Sequence, residues 1–465
     1  MLTTLLMLCA LIWVPIFFHQ IMNRGFWVLV IWLLIAPVVT NLIQQQGRTN
    51  PFFETYEEME VLYVESEPKS ERITLSKWQS FQQNITLWEL LSEPSRIVFC
   101  AFLIVFFIES FLGKKYVLPL NKTERWMIAF TLIMLANIFL MSRRIPFSLR
   151  SALDAFIIPF STYYITRRLV TNEDRFYKLT QILAYLGFYV ILSCLGERLV
   201  QKEVLHRLHG PFNSPDHLHM IMAVVFYMVL NELGILSRGV RRFVLYLIPI
   251  IIFLTWSRGT WVGFLSGVWV FMFLARRLLS PLQKIPKIGL LLIFLPILLI
   301  GAYQFIPEEI IESRIAKQGT VNWRLERWGV ALQAGAQQPI FGVGFNNLRE
   351  IFAMETGSAY SSHNSFVTFF AELGVVGLLA YLAIVASIIQ MGLQLYWIGA
   401  VPRNRWRGIA IIAIWTAYQI SALFASTLTS HDLGSIYIYV FTGGIAGLCS
   451  QNRSVPLPYA FSKTH

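Results

Sequence analysis

A short polar segment at residues 322–337, NWRLERWGVALQAGAQ, carries two arginines and a tryptophan that could bind an anion. A helix over this segment puts Arg324, Arg327 and Trp328 on one face, above small residues. Two guanidinium groups on such a face can bind phosphate through paired, charge-assisted hydrogen bonds. The alternative for this segment alone is an interfacial helix, whose arginines extend to the lipid headgroups and whose tryptophan anchors at that depth.

A histidine stands at the start of a second segment, SSHNSFVTFF at residues 361–370. If a helix begins at about Asn364, Ser361 or Ser362 can cap it, and His363 then lies at the positive end of the helix dipole. That position disfavours the imidazolium and holds the ring neutral near pH 7, the state that a general base needs. The alternative is a histidine that only caps or packs at a helix start.

A third candidate, Arg258, lies in LTWSRGTWVGF, within a turn of a few residues between two apolar runs. Its neighbours Ser257 and Gly259 leave little bulk around it, and an arginine at membrane depth is a functional candidate. The alternative is an anchor that extends to the headgroups. Other cationic residues on the same predicted side of the membrane are Arg207, His206, His209, Arg143, Arg144 and Arg150.

The sequence offers little that could hold a divalent cation. Aspartate occurs only at positions 154, 174, 216 and 432, and the chain has no Asp-x-Asp pair, His-x-x-x-His pair or cysteine cluster. We therefore expect no metal and no cofactor, and arginines must bind any phosphate, through hydrogen bonds of roughly 1.5–3 kcal/mol each.

The composition requires a membrane fold around these residues. The chain has 465 residues, of which 56% are hydrophobic and 15% aromatic, with a mean hydropathy of +0.58. Backbone groups inside hydrocarbon must be paired, which favours helices, so we predict an all-α polytopic membrane protein with about 12 or 13 spans. The apolar runs are 2–18, 26–43, 97–112, 126–141, 151–166, 179–195, 217–233, 243–256, 260–275, 288–306, 375–396, 408–427 and 434–449.

The distribution of Lys and Arg predicts the orientation. The net charge of +12 would suggest nucleic acid for a soluble protein, but 21 of the 38 Lys and Arg residues lie in short loops that can all face the cytoplasm. We therefore expect no nucleic-acid partner. The loops predicted to be cytoplasmic are 19–25, 113–125, 167–178, 234–242, 276–287, 398–407 and the C-terminal tail.

The remaining loops fall on the outer face, and two of them are long. Residues 44–96 are rich in glutamate and receive no chemical role, whereas 307–362 contain the arginine segment. Cys9, Cys100, Cys194 and Cys449 lie in apolar runs and are expected to be small core residues. No cleavable signal peptide is evident. The predicted regions are N-terminal spans 1–43, an acidic extracytoplasmic segment 44–96, a bundle 97–306, a large periplasmic loop 307–362, C-terminal spans 363–449 and a cytoplasmic tail 450–465.

These segments together resemble the O-antigen ligase and O-antigen polymerase superfamily of bacterial membrane glycosyltransferases. Three stretches carry the resemblance, and RLHGPFNSPDHL at 207–218 is a weaker fourth. The three are SRGTWVGF at 257–264, RLERWGVALQAGAQQPIFGVGFNN at 324–347 and HNSFVTFFAELGVVGLLAYL at 363–382. The resemblance implies metal-independent transfer of a glycan from an undecaprenyl-diphosphate carrier to an acceptor hydroxyl, at the periplasmic face of the inner membrane.

The resemblance also implies roles for the arginines. Arg258 and the arginine that precedes the tryptophan of the large loop would bind the diphosphate. Arg324 and Arg327 are rivals for the second role, with Arg327 placed first because it adjoins Trp328. Arg207 is a further expected contact to the diphosphate or the first sugar.

The remaining implied roles concern the second segment. His363 would take the proton of the acceptor hydroxyl, and Asn364 would orient His363 or cap the helix. Glu372 is expected to pack, because nine residues put it on the opposite helical face from His363. Substrate contacts are thus expected at Arg207, Trp328 and Asn364.

The acceptor cannot be read from these motifs. A ligase would use lipid A core, whereas a polymerase would use a second repeat unit. We favour the ligase because one large loop carries the arginines and the histidine, while the 196–216 loop is short and nearly neutral. An anion transporter is the alternative of another class, and its path would be sought at Asp154, Glu109 and Glu232.

Overall fold

A computed structural model gives the architecture of most of the chain. It describes residues 25–33, 99–110 except 101, 105 and 109, 118–200, 207–208, 210–212, 215–231, 235–278, 318–356, 362–399, 401–425 and 435–452. Within these ranges the regular structure is helical, without strands. The predictions for 2–18, 44–96 and 288–306 lie outside the described residues.

Twelve α-helices lie between residues 122 and 452 in the described part of the chain. Described helical residues within 25–33 and 99–110 precede them. The twelve helices are α1 Lys122–Met141, α2 Ile145–Ala152, α3 Ile158–Leu169, α4 Glu173–Val200, α5 Pro215–Asn231, α6 Arg238–Leu254, α7 Arg258–Ala275, α8 Gln318–Gln337, α9 Leu348–Thr356, α10 Ser365–Ile398, α11 Pro402–Ala422 and α12 Ile436–Asn452. A π-helical turn, Leu153–Ile157, joins α2 to α3.

The all-α prediction is confirmed. Each apolar run predicted between 126 and 275 and between 375 and 449 falls on helix in the described part of the chain. Among the described residues, α1, α4, α7 and α10 are long and apolar enough to cross a membrane. The helix predicted over 322–337 ends where expected and begins four residues earlier. The chain is therefore a polytopic helical membrane protein.

Small residues allow the central helices to approach closely. Gly263 and Gly267 are spaced four apart on α7, and a Cβ at either would lie 2.6–2.7 Å from a carbonyl oxygen of α11. This spacing of small residues is typical of membrane helix interfaces. Helix α5 is buried on every side from His217 to Val229, which explains why its apolar residues are not confined to one face of the helix.

The loop helices α8 and α9 attach to α10 through a second, smaller apolar cluster. Its buried members are Ala331, Ala334, Leu348, Phe352 and Ala371. The turn that joins α8 to α9 donates backbone hydrogen bonds from Val343 and Gly344 to the carbonyls of Ala371 and Glu372. These bonds fall where α10 is kinked at Gly374, whose φ of 66° favours glycine.

The two ends of the bundle differ in their charged residues. At one end, the Glu124 end, the buried carboxylate of Glu124 pairs with Arg167 and Arg168. The Glu173–Arg407 pair lies at the starts of α4 and α11 on that end. Described parts of three loops that charge assigns to the cytoplasm, 118–125, 167–178 and 401–407, lie at this end. Described parts of the loops assigned to the outer face contact one another at the opposite end, which we call the Arg258 end.

Candidate active site

Helix α8 turns the predicted face toward the body of the protein. Arg327, Ala331 and Gly335 are buried, while Arg324 and Trp328 are partly buried. The indole N–H of Trp328 donates to the carbonyl of Ser362 at 2.8 Å. The shared face of the sequence prediction is therefore confirmed, and it fixes α8 against the residue that precedes His363.

Arg327 is enclosed between aromatic rings. Only 1% of its surface is exposed, and its Cζ lies 4.1 Å from the ring centroid of Trp323 and 5.1 Å from that of Phe352. Its Nη2 donates to the hydroxyl of Thr356 at 3.4 Å. The guanidinium thus connects α8 to the end of α9.

Arg324 has different surroundings. Its side chain is partly buried, and its Nε has no hydrogen-bond partner among the described residues. Burial lowers the pKa of the Arg324 guanidinium, and the nearby charges of Arg258 and Arg207 lower it further, while Asp216 opposes them. The charges of Arg207 and Arg258 thus act on Arg324. We call these three outer arginines the cationic cluster.

His363 borders this cluster. Its ring centroid lies 5.4 Å from that of Trp323, and its backbone adopts a left-handed φ of 51°. Burial lowers the pKa of His363 to about 4, helped by the charges of Arg324, Arg327 and Arg207 and opposed by Asp216. The imidazole is thus neutral near pH 7, as the sequence predicts, but burial is the main cause.

The cap of α10 is Asn364. Its side-chain oxygen accepts hydrogen bonds of 3.1 Å from the backbone N–H groups of Phe366 and Val367. The Ser362 hydroxyl bonds instead to the Asn364 carbonyl, at 2.9 Å. The prediction of a serine cap is therefore wrong: Ser361 lies outside the described residues, and the side chain of Asn364 occupies the donors that a serine would satisfy.

Arg258 is the first residue of α7 and does not lie in a turn as the sequence predicts. Only residues 255–257 separate α6 from α7, and Ser257 caps α7 through the Thr260 N–H. Ser257 and Thr260 also donate from their hydroxyls to Asp216, at 2.9 and 3.0 Å. Arg258 therefore stands at a helix N-terminus that Asp216 holds in place.

Asp216 is one functional candidate that the sequence argument did not select. It lies in the first turn of α5, beside the cationic cluster. Its charge raises the pKa of His363, whereas the arginine charges lower it. The sequence could have pointed to Asp216, because it is one of only four aspartates and lies in an arginine-rich outer region. Arg207, which lies before α5, contributes to the same field, whereas His206 and His209 lie outside the described residues.

Asn137 is another residue that the motifs missed. Its amide donates to the carbonyl of Phe341 at 2.7 Å, and its oxygen accepts from the N–H of Phe345 at 2.6 Å. These bonds tie the glycine-rich turn before α9 to α1. The sequence could have pointed to Asn137, because a polar residue within an apolar run is expected to hydrogen-bond to a neighbouring segment.

Other outer cations serve attachment. Arg143 and Arg144 pair with Glu350 of α9, at 3.3 and 2.6 Å. Glu372 is buried and accepts a 3.3 Å hydrogen bond from the N–H of Leu348, consistent with its predicted packing role. These contacts hold α9 against the bundle. In the described part of the chain, no group of three His, Cys, Asp or Glu side chains could hold a metal ion.

The fold and site define a polytopic helical membrane protein with arginines and a neutral histidine gathered at one end. The family model of the O-antigen ligases matches residues 243–382, which include Arg258, Arg324, Arg327 and His363. The match supports the O-antigen ligase and polymerase superfamily, as the sequence motifs imply, and that superfamily suggests a membrane glycosyltransferase. A search of curated proteins returned no match.

Proposed function

We propose that this protein is a metal-independent, inverting glycosyltransferase of the bacterial inner membrane. It moves a glycan from an undecaprenyl-diphosphate carrier to an acceptor hydroxyl at the periplasmic face. The observation that carries the proposal is the neutral imidazole of His363 beside three arginines that can bind a diphosphate. Membrane lipids surround the protein, and no nucleic acid takes part.

The cationic cluster binds the diphosphate of the donor. Arg258 adds its charge to the positive end of α7, and the Nε of Arg324 has a free hydrogen-bonding capacity. Arg207 contributes a third cation. Because a glycosyl diphosphate leaves with its negative charge, preorganised arginines stabilise the transition state more than the ground state.

The second diphosphate role, which the sequence leaves open between Arg324 and Arg327, goes to Arg324. Arg324 is the more exposed of the two residues, and the charges of Arg258 and Arg207 act on its guanidinium. Arg327 is enclosed by two rings. Trp328 and Asn364 act by holding the segment around His363, because their polar groups bond to Ser362 and to the start of α10.

The chemical step is a displacement at the anomeric carbon. His363 accepts the proton of the acceptor hydroxyl, the hydroxyl oxygen bonds to the anomeric carbon, and the bond from that carbon to the diphosphate oxygen breaks. The electron pair leaves with the diphosphate, and the configuration inverts. A general base of this kind contributes roughly 10²–10⁴ in rate.

Donor binding and base strength are coupled. Burial, helped by the arginine charges, lowers the pKa of His363 to about 4, which makes it a weak base. A bound diphosphate offsets those charges and raises the pKa toward the ordinary range. His363 therefore becomes an effective base when the donor is in place.

We propose lipid A core as the acceptor, which makes the protein an O-antigen ligase. The large outer loop that carries Arg324 ends next to His363, so that one segment supplies both a diphosphate contact and the base. Repeat-unit polymerisation uses the same chemistry with another glycan as acceptor.

The test is transfer by the purified protein in lipid bilayers. The natural undecaprenyl-diphosphate glycan serves as donor, with lipid A core or a second repeat unit as acceptor, in the presence of a chelator. We expect transfer by the wild type and by Arg143→Ala, whose side chain is 61% exposed, and none by Arg258→Ala or His363→Ala. Full activity of His363→Ala would remove the proposed base, and no transfer to either acceptor by folded wild type would favour the transporter.

A further inference from the structure

Four side chains form a continuous stack that ends on the proposed base. The guanidinium carbon of Arg327 lies 5.1 Å from the ring centroid of Phe352 and 4.1 Å from that of Trp323. Trp323 also contacts the imidazole of His363, with ring centroids 5.4 Å apart and ring planes tilted by 50°. The stack thus runs from α9 through α8 to the residue before the α10 cap.

Arg327 lacks the exposure that a donor contact needs. It is 1% exposed, and the hydroxyl of Thr356 accepts from its Nη2. Arg324, three residues earlier, is partly exposed, and the charges of Arg258 and Arg207 act on its guanidinium. Two arginines of one helix face are therefore in different environments, one between rings and one toward the cationic cluster.

His363 needs such support because its backbone is strained. A non-glycine residue at a φ of 51° persists only where its surroundings hold it. Trp328 bonds the carbonyl of Ser362, and Asn364 caps the next helix, so the backbone is fixed on both sides. These bonds fix the backbone but not the side-chain torsions of His363. The indole of Trp323 lies against the imidazole ring and can limit its rotation.

We propose that Trp323 and Arg327 are positioning residues that orient the imidazole of His363 through the stack. This inference rests on the proposed role of His363 as the base. Arg327 fixes the plane of the indole by cation–π contact, and the indole limits the rotation of the imidazole. Neither side chain touches the donor.

The test compares Arg327→Met with Arg324→Met, each in the full-length protein in bilayers. Methionine keeps an unbranched side chain and removes the charge. We expect Arg327→Met to lower kcat roughly tenfold to hundredfold, the order of loss caused by small misplacement of a catalytic group, with a donor KM within about twofold of wild type. We expect Arg324→Met to raise the donor KM.

The pH profile shows whether the surroundings of His363 stay intact in Arg327→Met. The charged groups that face His363 are Arg324 and Arg327 of α8, Asp216 of α5 and the preceding Arg207. Loss of the Arg327 charge raises the pKa of His363, so the acid limb of kcat/KM moves to higher pH. This shift follows from the lost charge alone, so it shows that position 327 still faces His363 in the variant. The evidence for positioning is the fall in kcat at an unchanged donor KM.

A second pair of variants covers the case in which Arg327→Met does not fold. Trp323→Phe keeps a ring against His363 and should retain kcat within about threefold, whereas Trp323→Leu should lose roughly tenfold or more at unchanged donor KM. Equal activity of both with wild type would overturn the proposal. So would a donor KM that rises as much in Arg327→Met as in Arg324→Met.

The two proposals fail separately. If His363→Ala retains transfer, the base assignment fails and this inference fails with it. If His363→Ala is inactive while Arg327→Met and Trp323→Leu match the wild type, only the stack loses its role.

Discussion

The hydroxyl of Ser257 donates a 2.9 Å hydrogen bond to the carboxylate of Asp216, and this bond joins the beginnings of α7 and α5. The same carboxylate accepts from Thr260 at 3.0 Å. Arg258 lies between these two donors in sequence. Asp216, whose charge acts on both Arg324 and His363, thus also fixes the segment that carries Arg258.

We expect Asp216→Ala to lower transfer at least tenfold, because loss of both hydrogen bonds frees the start of α7 and misplaces the Arg258 guanidinium. Asp216→Asn keeps an acceptor oxygen and should retain more of the activity. The measurement is the kcat and the donor KM of transfer at neutral pH. Asp174→Ala, an exposed aspartate at the Glu124 end, is the control. Wild-type kinetics in Asp216→Ala would contradict this role.

The rate should remain high well below the usual histidine range. The neutral imidazole is the active form, so kcat/KM should stay level as pH falls through 6.5 and drop only as it approaches the pKa of about 4. The acid limb of kcat should lie at higher pH, because the bound diphosphate raises the pKa of His363. Arg324→Gln should move the acid limb of kcat/KM upward. A limb near 6.5 in the wild type would show that the arginines and burial do not depress this pKa.

Two glycines of α8 provide a matched pair. A Cβ at Gly335 would lie 2.7 Å from the ring of Phe370 and 3.1 Å from the Cα of Ala371, whereas a Cβ at Gly329 meets nothing within 4 Å. We expect Gly335→Ala to push α8 away from α10 and to reduce kcat at least tenfold. Gly329→Ala should keep full activity and stabilise α8 by up to about 1 kcal/mol through helix propensity. Equal activity of the two variants would show that close packing of α8 on α10 is not needed.

Asn137→Ala should loosen the turn between α8 and α9. It removes an amide that bonds Phe341 and Phe345, and an unpaired buried backbone group costs about 1–3 kcal/mol. Thermal unfolding and transfer are measured together, and we expect both to decline. Leu140→Ala, at an 83% exposed position of the same helix, serves as the control. An unchanged unfolding temperature in Asn137→Ala would mean that the turn is held without it.

Much of the fold follows from the sequence because burial in lipid imposes apolar runs of spanning length. The boundaries of α5, α7 and α8 fall within a few residues of the predictions. The division of loops between the two ends follows from charge in the same way. Helix packing partners were not predictable, because a helix that is apolar on every side, such as α5, fits many neighbours.

The site was predictable in kind but not in detail. Arg324 and Arg327 lie on the same face of α8, so periodicity cannot separate them. Their difference in burial arises from Phe352 and Thr356, which belong to another helix. A neutral His363 was predicted from its place at a helix start, but its pKa is lowered mainly by burial and then by arginine charges, which the local sequence does not contain.

The sequence by itself determined that this is a helical membrane protein with arginines and a histidine on one side, since composition, run length and charge are local properties. Only the tertiary structure decided that Asp216 joins Ser257, that Asn137 holds the loop, and that Trp323 packs on His363. These relationships join residues far apart in the chain. They depend on how the helices pack, and packing is set by the whole chain at once.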